Sequence, residues 1–367
     1  VTGDADNNIF FEKILFENQK YKEAEPYLAM INDSTLNDVE KKEALVSFNK
    51  IRQQVVDYHT DIIERHPQTM TARILKTTQP VNVPDTPVRK DGSVDSTFRL
   101  RWYREHFFDN FDLSDDALLR LPRPVYTEKI AEYLDKLFVP EADTVIGAIE
   151  WMVAKAKKNQ ATYNYLVREC IFKYQDPDIM GLDKVFVHMN DKYFASGEMN
   201  SWGNEKLRKN LKEHADRLRK SMLGMKGANL VMQDAELRLR SMYDLTNKYT
   251  VLYFFDPDCG YCRKETPKLV DFYNKNKAIF NVEVFAVCED SSLVKMRKYI
   301  NEMDLNWITV NGPRSATGNY KNLYDAITVP LVYVLDEKKK IIAKKIPAEK
   351  LEEFLINYER FMKRKEG

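Results

Sequence analysis

The chain has 367 residues, 44% hydrophobic and 31% charged, with 57 Lys and Arg against 56 Asp and Glu for a net charge of +1. That length predicts two or three domains with room for a sizeable core. The balanced charge excludes a global field that would draw the chain to nucleic acid or an anionic membrane, and no apolar run approaches the roughly 20 residues of a spanning helix. Val1 is neither a start methionine nor the head of a signal-type apolar region, so the chain is expected to be a mature or trimmed piece.

From Asn8 to about Ser221 the pattern is helical, with few glycines. Val39, Leu45, Val46, Phe48, Ile51, Val55, Ile62 and Ile63 recur at mostly three- and four-residue spacing. They follow a polar entry at Asn37 and Asp38 and precede Pro67, which predicts a long amphipathic helix in need of partners. Further helices are predicted over Thr127–Phe138, Asp143–Lys158, Ala161–Tyr174, Leu182–Phe194 and Asn204–Leu223. Thr77 to Ser96, with three prolines and a glycine, predicts an extended loop. Residues 1–223 are therefore expected to form an all-α domain of antiparallel helices.

After "LGMKGANL" short apolar runs alternate with amphipathic ones. Strands are predicted at Tyr249–Phe255, Val282–Val287, Trp307–Val310, Leu331–Leu335 and Ile341–Ile346. Helices are predicted at Cys259–Lys275, Ser291–Met303 and Ala348–Lys363. A βαβ order followed by a hairpin and a helix implies an α/β sheet covered on both faces, over residues 227–367, with the boundary near Gly224 to Gly227.

Two of the four cysteines, Cys259 and Cys262, stand in "VLYFFDPDCGYCRKETP" where a strand gives way to a helix. Unpaired N–H groups and the helix dipole stabilise a thiolate at such a start, so Cys259 is expected to be the exposed nucleophile. Cys262, nearly one turn along, is expected to be the resolving thiol that displaces a client from a mixed disulfide at Cys259. Gly260 and Tyr261 are expected to allow the tight first turn. Half of a zinc site is the bland alternative, but no second CxxC exists, and His188 and His214 fall in the helical part. No metal is therefore expected. Cys288 is expected to be a small buried hydrophobe.

These residues resemble the thioredoxin superfamily, and within it the TlpA- and ResA-like thiol-disulfide oxidoreductases of Bacteroidetes type. The resemblance runs from about Gly227 to Phe361 through "YTVLYFFDPDCGYCRKETPKL", Pro267, "VEVFAV" and "YDAITVPLVYVLDEKKKIIAKK". It implies a thioredoxin-like fold and a cis Val329-Pro330 bond, with Val329 pairing to an extended client strand. It also implies client contacts at Gly260 and Tyr261, and an acid at Glu289 or Asp290 that assists proton transfer. "RLRWYREHFFDNFDLSDDALLRLP", Arg99 to Pro122, resembles the DUF5106 domain that precedes such domains in envelope proteins.

The chain departs from thioredoxin in having Asp258 before the first cysteine, Gly-Tyr between the two, and Tyr253 in place of a buried acid. Asp256 and Asp258 oppose a thiolate at Cys259, whereas the helix start, with Arg263 and Lys264, favours it. Asp256 and Pro257 also depart from the pattern of a peroxide-reducing site. The expectation is a reductase of envelope client proteins, supplied by an upstream dithiol donor and using no cofactor beyond the Cys259–Cys262 pair. It is expected in the periplasm, with a lipid anchor in the full-length protein. A disulfide isomerase and a client-binding helical scaffold with an accessory redox domain are the alternatives. The sequence does not specify the oligomeric state.

Overall fold

The computed structural model describes residues 4–121 and 124–366. Residues 1–3, 122–123 and 367, which include Pro122 and the outer ends of both expected domains, lie outside the described residues. The chain divides into two compact units, Val1–Phe138 with Glu150–Leu166, and Val139–Ile149 with Val167–Gly367.

In the first unit α1 (Ala5–Asn32) pairs with α2 (Asp38–Arg65). Asn37 caps α2 through a capping box, its Oδ1 accepting from the Val39 and Glu40 amides while Glu40 accepts from the Asn37 amide. The expected apolar stripe is covered only in part. Ile62 packs with Ala72 and Leu75 of α3 (Met70–Thr78), whereas Val39, Leu45 and Val46 are exposed. Beyond α3 the chain runs extended to α4 (Phe98–His106), as the prolines predict. Many aromatic side chains then form core: Phe107 and Phe108 lie 5.3 and 4.8 Å from Tyr133 of α5 (Val125–Lys136), and Phe111 lies 5.3 Å from Tyr126. Residues 150–156 of α6 (Ala142–Ala156) and 160–166 of α7 (Gln160–Lys173) also belong to this unit, and the rest of each helix to the second.

The second unit takes in α8 (Asp183–Met189), which continues as a π-helical turn over Asn190–Ala195, and α9 (Glu205–Lys220). Helix gives way to strand where the sequence places a boundary, while the compact units divide elsewhere. Gly224 and Gly227 donate their amides to Ile341 and Lys339 carbonyls, both at 2.8 Å. A Cβ on Gly227 would stand 2.6 Å from Leu335 Cδ2 and 2.7 Å from the Tyr324 hydroxyl, so only glycine admits that approach.

The elements that follow are β1 (Val231–Asp234), β2 (Leu239–Ser241), β3 (Tyr249–Phe255), α10 (Gly260–Phe280), β4 (Val282–Cys288) and α11 (Leu293–Glu302). Then come β5 (Ile308–Ser315), α12 (Tyr320–Tyr324), β6 (Leu331–Leu335), β7 (Ile341–Lys344) and α13 (Leu351–Glu366). Among the described residues the sheet runs β2-β1-β5-β4-β3-β6-β7. The β3, β4 and β5 ladders are parallel, and the outer pairings are antiparallel.

Strand β3 explains why its sequence is apolar at every position but Thr250. Tyr249, Val251, Tyr253 and Phe255 enter one core with Cys262, Leu269 and Leu351, while Leu252 and Phe254 enter another with Tyr320 and Tyr333. Each large side chain so buried contributes about 1.5–3 kcal/mol. The last predicted strand stops at Lys344 rather than Ile346, because Lys345 adopts φ 55° and Pro347 follows.

Candidate functional site

Strand β3 ends in the turn Asp256-Pro257-Asp258, closed by Asp258 N donating to Asp256 Oδ1 at 2.7 Å and Cys259 N donating to Asp256 O at 3.1 Å. Cys259 thereby becomes the N-cap of α10, one residue before the helix rather than within its first turn. Its Sγ accepts from the Cys262 amide at 3.4 Å, the part that a Ser or Asp oxygen takes in an ordinary cap. The sulfur stands at the positive end of the helix, half-buried and within reach of solvent.

Cys262 is fully buried. Burial pushes its thiol well above the ordinary range, and the charges of Cys259 and Asp256 push the same way, while a hydrogen bond with the Asp256 backbone favours the thiolate. The two thiols therefore differ in the way that an attacking and a resolving group must: one accessible, the other enclosed beside it.

Pro330 immediately precedes β6, whose first residue Leu331 pairs with Phe254, and the Val329-Pro330 bond is cis. The Cys259 Sγ lies 3.7 Å from the Val329 carbonyl oxygen. The structure thus brings Cys259, Cys262, Val329 and Pro330 together. Gly260 and Tyr261 lie exposed beside Cys259, Tyr261 with 75% of its surface free. The expected steric need for Gly260 does not hold, since a Cβ there would meet nothing within 4 Å and its φ is not in the left-handed region.

The acids divide unequally. Glu289 Oε2 accepts from Lys321 Nζ at 3.1 Å, and burial raises its carboxyl although Lys321 opposes the shift. Asp290 accepts from the Ser292 amide at 2.7 Å and from Lys295 at 3.0 Å, and is held below the usual carboxylate range. Lys295 also pairs with Asp258 at 2.6 Å, so it ties the cysteine turn to the loop after β4. The carboxylate between these groups is Asp256, whose charge acts on Cys262, Cys288 and Glu289 alike.

Arg263 and Lys264 make contacts of their own. Arg263 donates to the Pro257 carbonyl at 3.0 Å and pairs with Glu302 at 3.2 Å, and Lys264 lies 5.8 Å from the Tyr261 ring centroid. Cys288 is buried, its thiol pushed up to about 12 mainly by burial. A feature with no sequence signal lies under Cys262: buried Tyr253 and Tyr299 hydroxyls each share a hydrogen bond with Thr266 Oγ1, at 2.8 and 2.7 Å. Tyr253, where thioredoxin has an acid, is thus a neutral hydrogen-bonding group.

Glu289 gives the site a pH signature. A carboxyl raised in the folded state stabilises the fold most below its unfolded value of 4.5, and that contribution is lost as pH rises through the folded value. In urea unfolding, Glu289→Gln is expected to match the wild type near about pH 4 and to be the more stable protein near about pH 8. A Gln variant destabilised equally at both pH values contradicts this reading of Glu289.

A family model described as "Domain of unknown function (DUF5106)" matches residues 59–216, and one described as "Thioredoxin-like" matches residues 247–341. The thiol-disulfide oxidoreductase ResA of Bacillus cereus is 26% identical over 140 residues, which make up 38% of this chain and 78% of that protein. A thioredoxin-like protein from Bacteroides caccae, 20% identical, shares the fold over 76% of this chain and 99% of its own, with a TM-score of 0.60. A domain of a possible thiol-disulfide isomerase from Cytophaga hutchinsonii is 38% identical and covers 39% of this chain and 97% of its own, with a TM-score of 0.36.

Proposed function

We propose that this chain, which belongs to the thioredoxin superfamily in its TlpA/ResA-like branch and carries a DUF5106 domain ahead of it, reduces disulfides of client proteins through Cys259 and Cys262. One observation carries the reading. An accessible sulfur caps a helix 3.7 Å from the Val329 carbonyl, with an enclosed second thiol one turn along.

The Cys259 thiolate attacks one sulfur of a client disulfide, forming a mixed disulfide and releasing the client's other sulfur as a thiolate that takes up a proton. Cys262 then gives up its proton and attacks Cys259 Sγ. The Cys259–Cys262 bond forms, the mixed disulfide breaks, and the client leaves with both sulfurs reduced by two electrons in all. Glu289, the carboxyl that burial raises in the loop after β4, assists transfer of the Cys262 proton. An upstream dithiol donor restores the pair, which carries the electrons without a further cofactor. The client lies extended along Val329, with Gly260 and Tyr261 as the exposed rim beside Cys259.

Such chemistry suits an extracytoplasmic compartment, where client disulfides persist, and we place the protein in the periplasm or cell envelope. Among the described residues no helix is long and apolar enough to cross a membrane.

The test is a thiol balance. Reduced protein mixed with a peptide disulfide, quenched and alkylated, is expected to yield two peptide thiols for each Cys259–Cys262 bridge found by mass spectrometry. Peptide thiols without that bridge, or no peptide thiols, would overturn the proposal.

A further inference from the structure

The loop that carries Val329 is held from outside the thioredoxin-like segment. Asp325 follows α12 in a left-handed conformation, φ 47° and ψ 37°, with its side chain 9% exposed. Its carboxylate accepts from Arg217 Nε at 2.7 Å and faces His214 Nε2 at 3.5 Å, both on α9. Burial pushes the Asp325 carboxyl up, but the His214 and Arg217 hydrogen bonds and charges outweigh it and hold it below the usual range. Arg217 stands 108 residues from Asp325, outside the 247–341 match, and His214 lies within the 59–216 match.

The rest of the loop transmits that anchor. Ile327 N donates to Asp325 O at 2.9 Å and Ala326 N to Lys321 O at 3.2 Å. The Tyr333 hydroxyl bonds the Tyr324 carbonyl and lies 3.4 Å from Ser221 Oγ, just past the end of α9. At its far end the loop enters β6, where Leu331 pairs with Phe254. Residues 326–330 therefore run between two fixed points, the sheet and an ionic anchor on α9, and the Val329 carbonyl stands where those points put it.

We propose that Arg217, through Asp325, is a positioning residue for client recognition, holding the 325–330 loop so that the Val329 backbone can pair with an extended peptide. The end of the helical segment is thus part of the client site, although none of its side chains meets the reacting sulfurs. The proposal rests on the dithiol reading above and extends it to a residue outside the thioredoxin-like segment. A small disulfide needs only access to Cys259 Sγ, whereas a peptide disulfide also needs the aligned backbone, so the two substrates separate positioning from chemistry.

The experiment compares the full chain and its variants on a disulfide-bonded extended peptide and on 5,5′-dithiobis(2-nitrobenzoate). Arg217→Met is expected to lower kcat/KM for the peptide about tenfold, mostly through KM, and to leave the rate with the small disulfide within about twofold. Asp325→Asn, which keeps a residue tolerant of the left-handed backbone, is expected to show the same peptide-specific loss, and Arg217→Lys to recover part of the Arg217→Met deficit. Equal losses on both substrates, or no loss on either, would overturn the positioning role. A wild-type chain that reduces neither substrate fails the dithiol reading itself, a different result from either of these.

Discussion

Cys259→Ser is expected to lower the rate of disulfide reduction by about a thousandfold or more, because it removes the group that attacks the client and nothing nearby replaces it. Asp256 and Asp258 are acceptors only, Cys262 is enclosed, and Cys288 lies buried with its thiol raised to about 12. Cys262→Ser has a different expected outcome. Attack by Cys259 persists, release does not, and the protein accumulates as a mixed disulfide with its client. Non-reducing gels and intact-mass spectrometry distinguish the two variants directly. Turnover retained by Cys259→Ser would move the nucleophile elsewhere and sink the assignment.

The second large effect concerns stability. Lys344 of β7 and Asp183, the first residue of α8, form an ion pair at 2.7 Å with side chains 3% and 7% exposed. Removing water from both charges is unfavourable, and the pair holds because each meets its partner. Asp183→Ala leaves an ammonium enclosed without its counter-charge and is expected to cost about 3–5 kcal/mol in urea unfolding. The double replacement Asp183→Leu with Lys344→Met is expected to recover most of that loss, since an apolar pair of similar size removes both charges together. A single substitution costing under about 0.5 kcal/mol, as surface sites do, would mean that the pair is hydrated and contributes little.

What the sequence made legible is what local pattern encodes. The run Tyr249–Phe255 is apolar but for Thr250 because both faces of β3 are covered, and its ends match the structure. The cysteine turn was legible because Asp-Pro-Asp ends a strand and the following residues suit a helix start. Pro330 was legible through resemblance, and its cis bond is present.

What escaped was non-local. Strands β1 and β2, "VMQD" and "LRS", carry little β signal and exist because β5 pairs with β1 and β1 in turn with β2. The hydroxyl chain under Cys262 joins residues 13 and 33 positions apart, at spacings that no motif marks. Arg263 stood close enough in sequence to Cys259 to suggest thiolate support, yet Glu302 and the Pro257 carbonyl hold it. The exposed half of the α2 stripe likewise shows that amphipathic spacing predicts a helix without specifying what covers it.

The measurement that bears most directly on the central claim is the reduction potential of the Cys259–Cys262 pair, from equilibration in dithiothreitol and glutathione buffers followed by alkylation and mass counting. Cys262 is held as a thiol by burial. The reduced form is therefore not strongly stabilised. The account predicts a potential on the reducing side, roughly −200 to −270 mV, where about 30 mV is a tenfold change in equilibrium. A value near the ~−120 mV of a strong oxidant, or a pair that forms no disulfide, would contradict it.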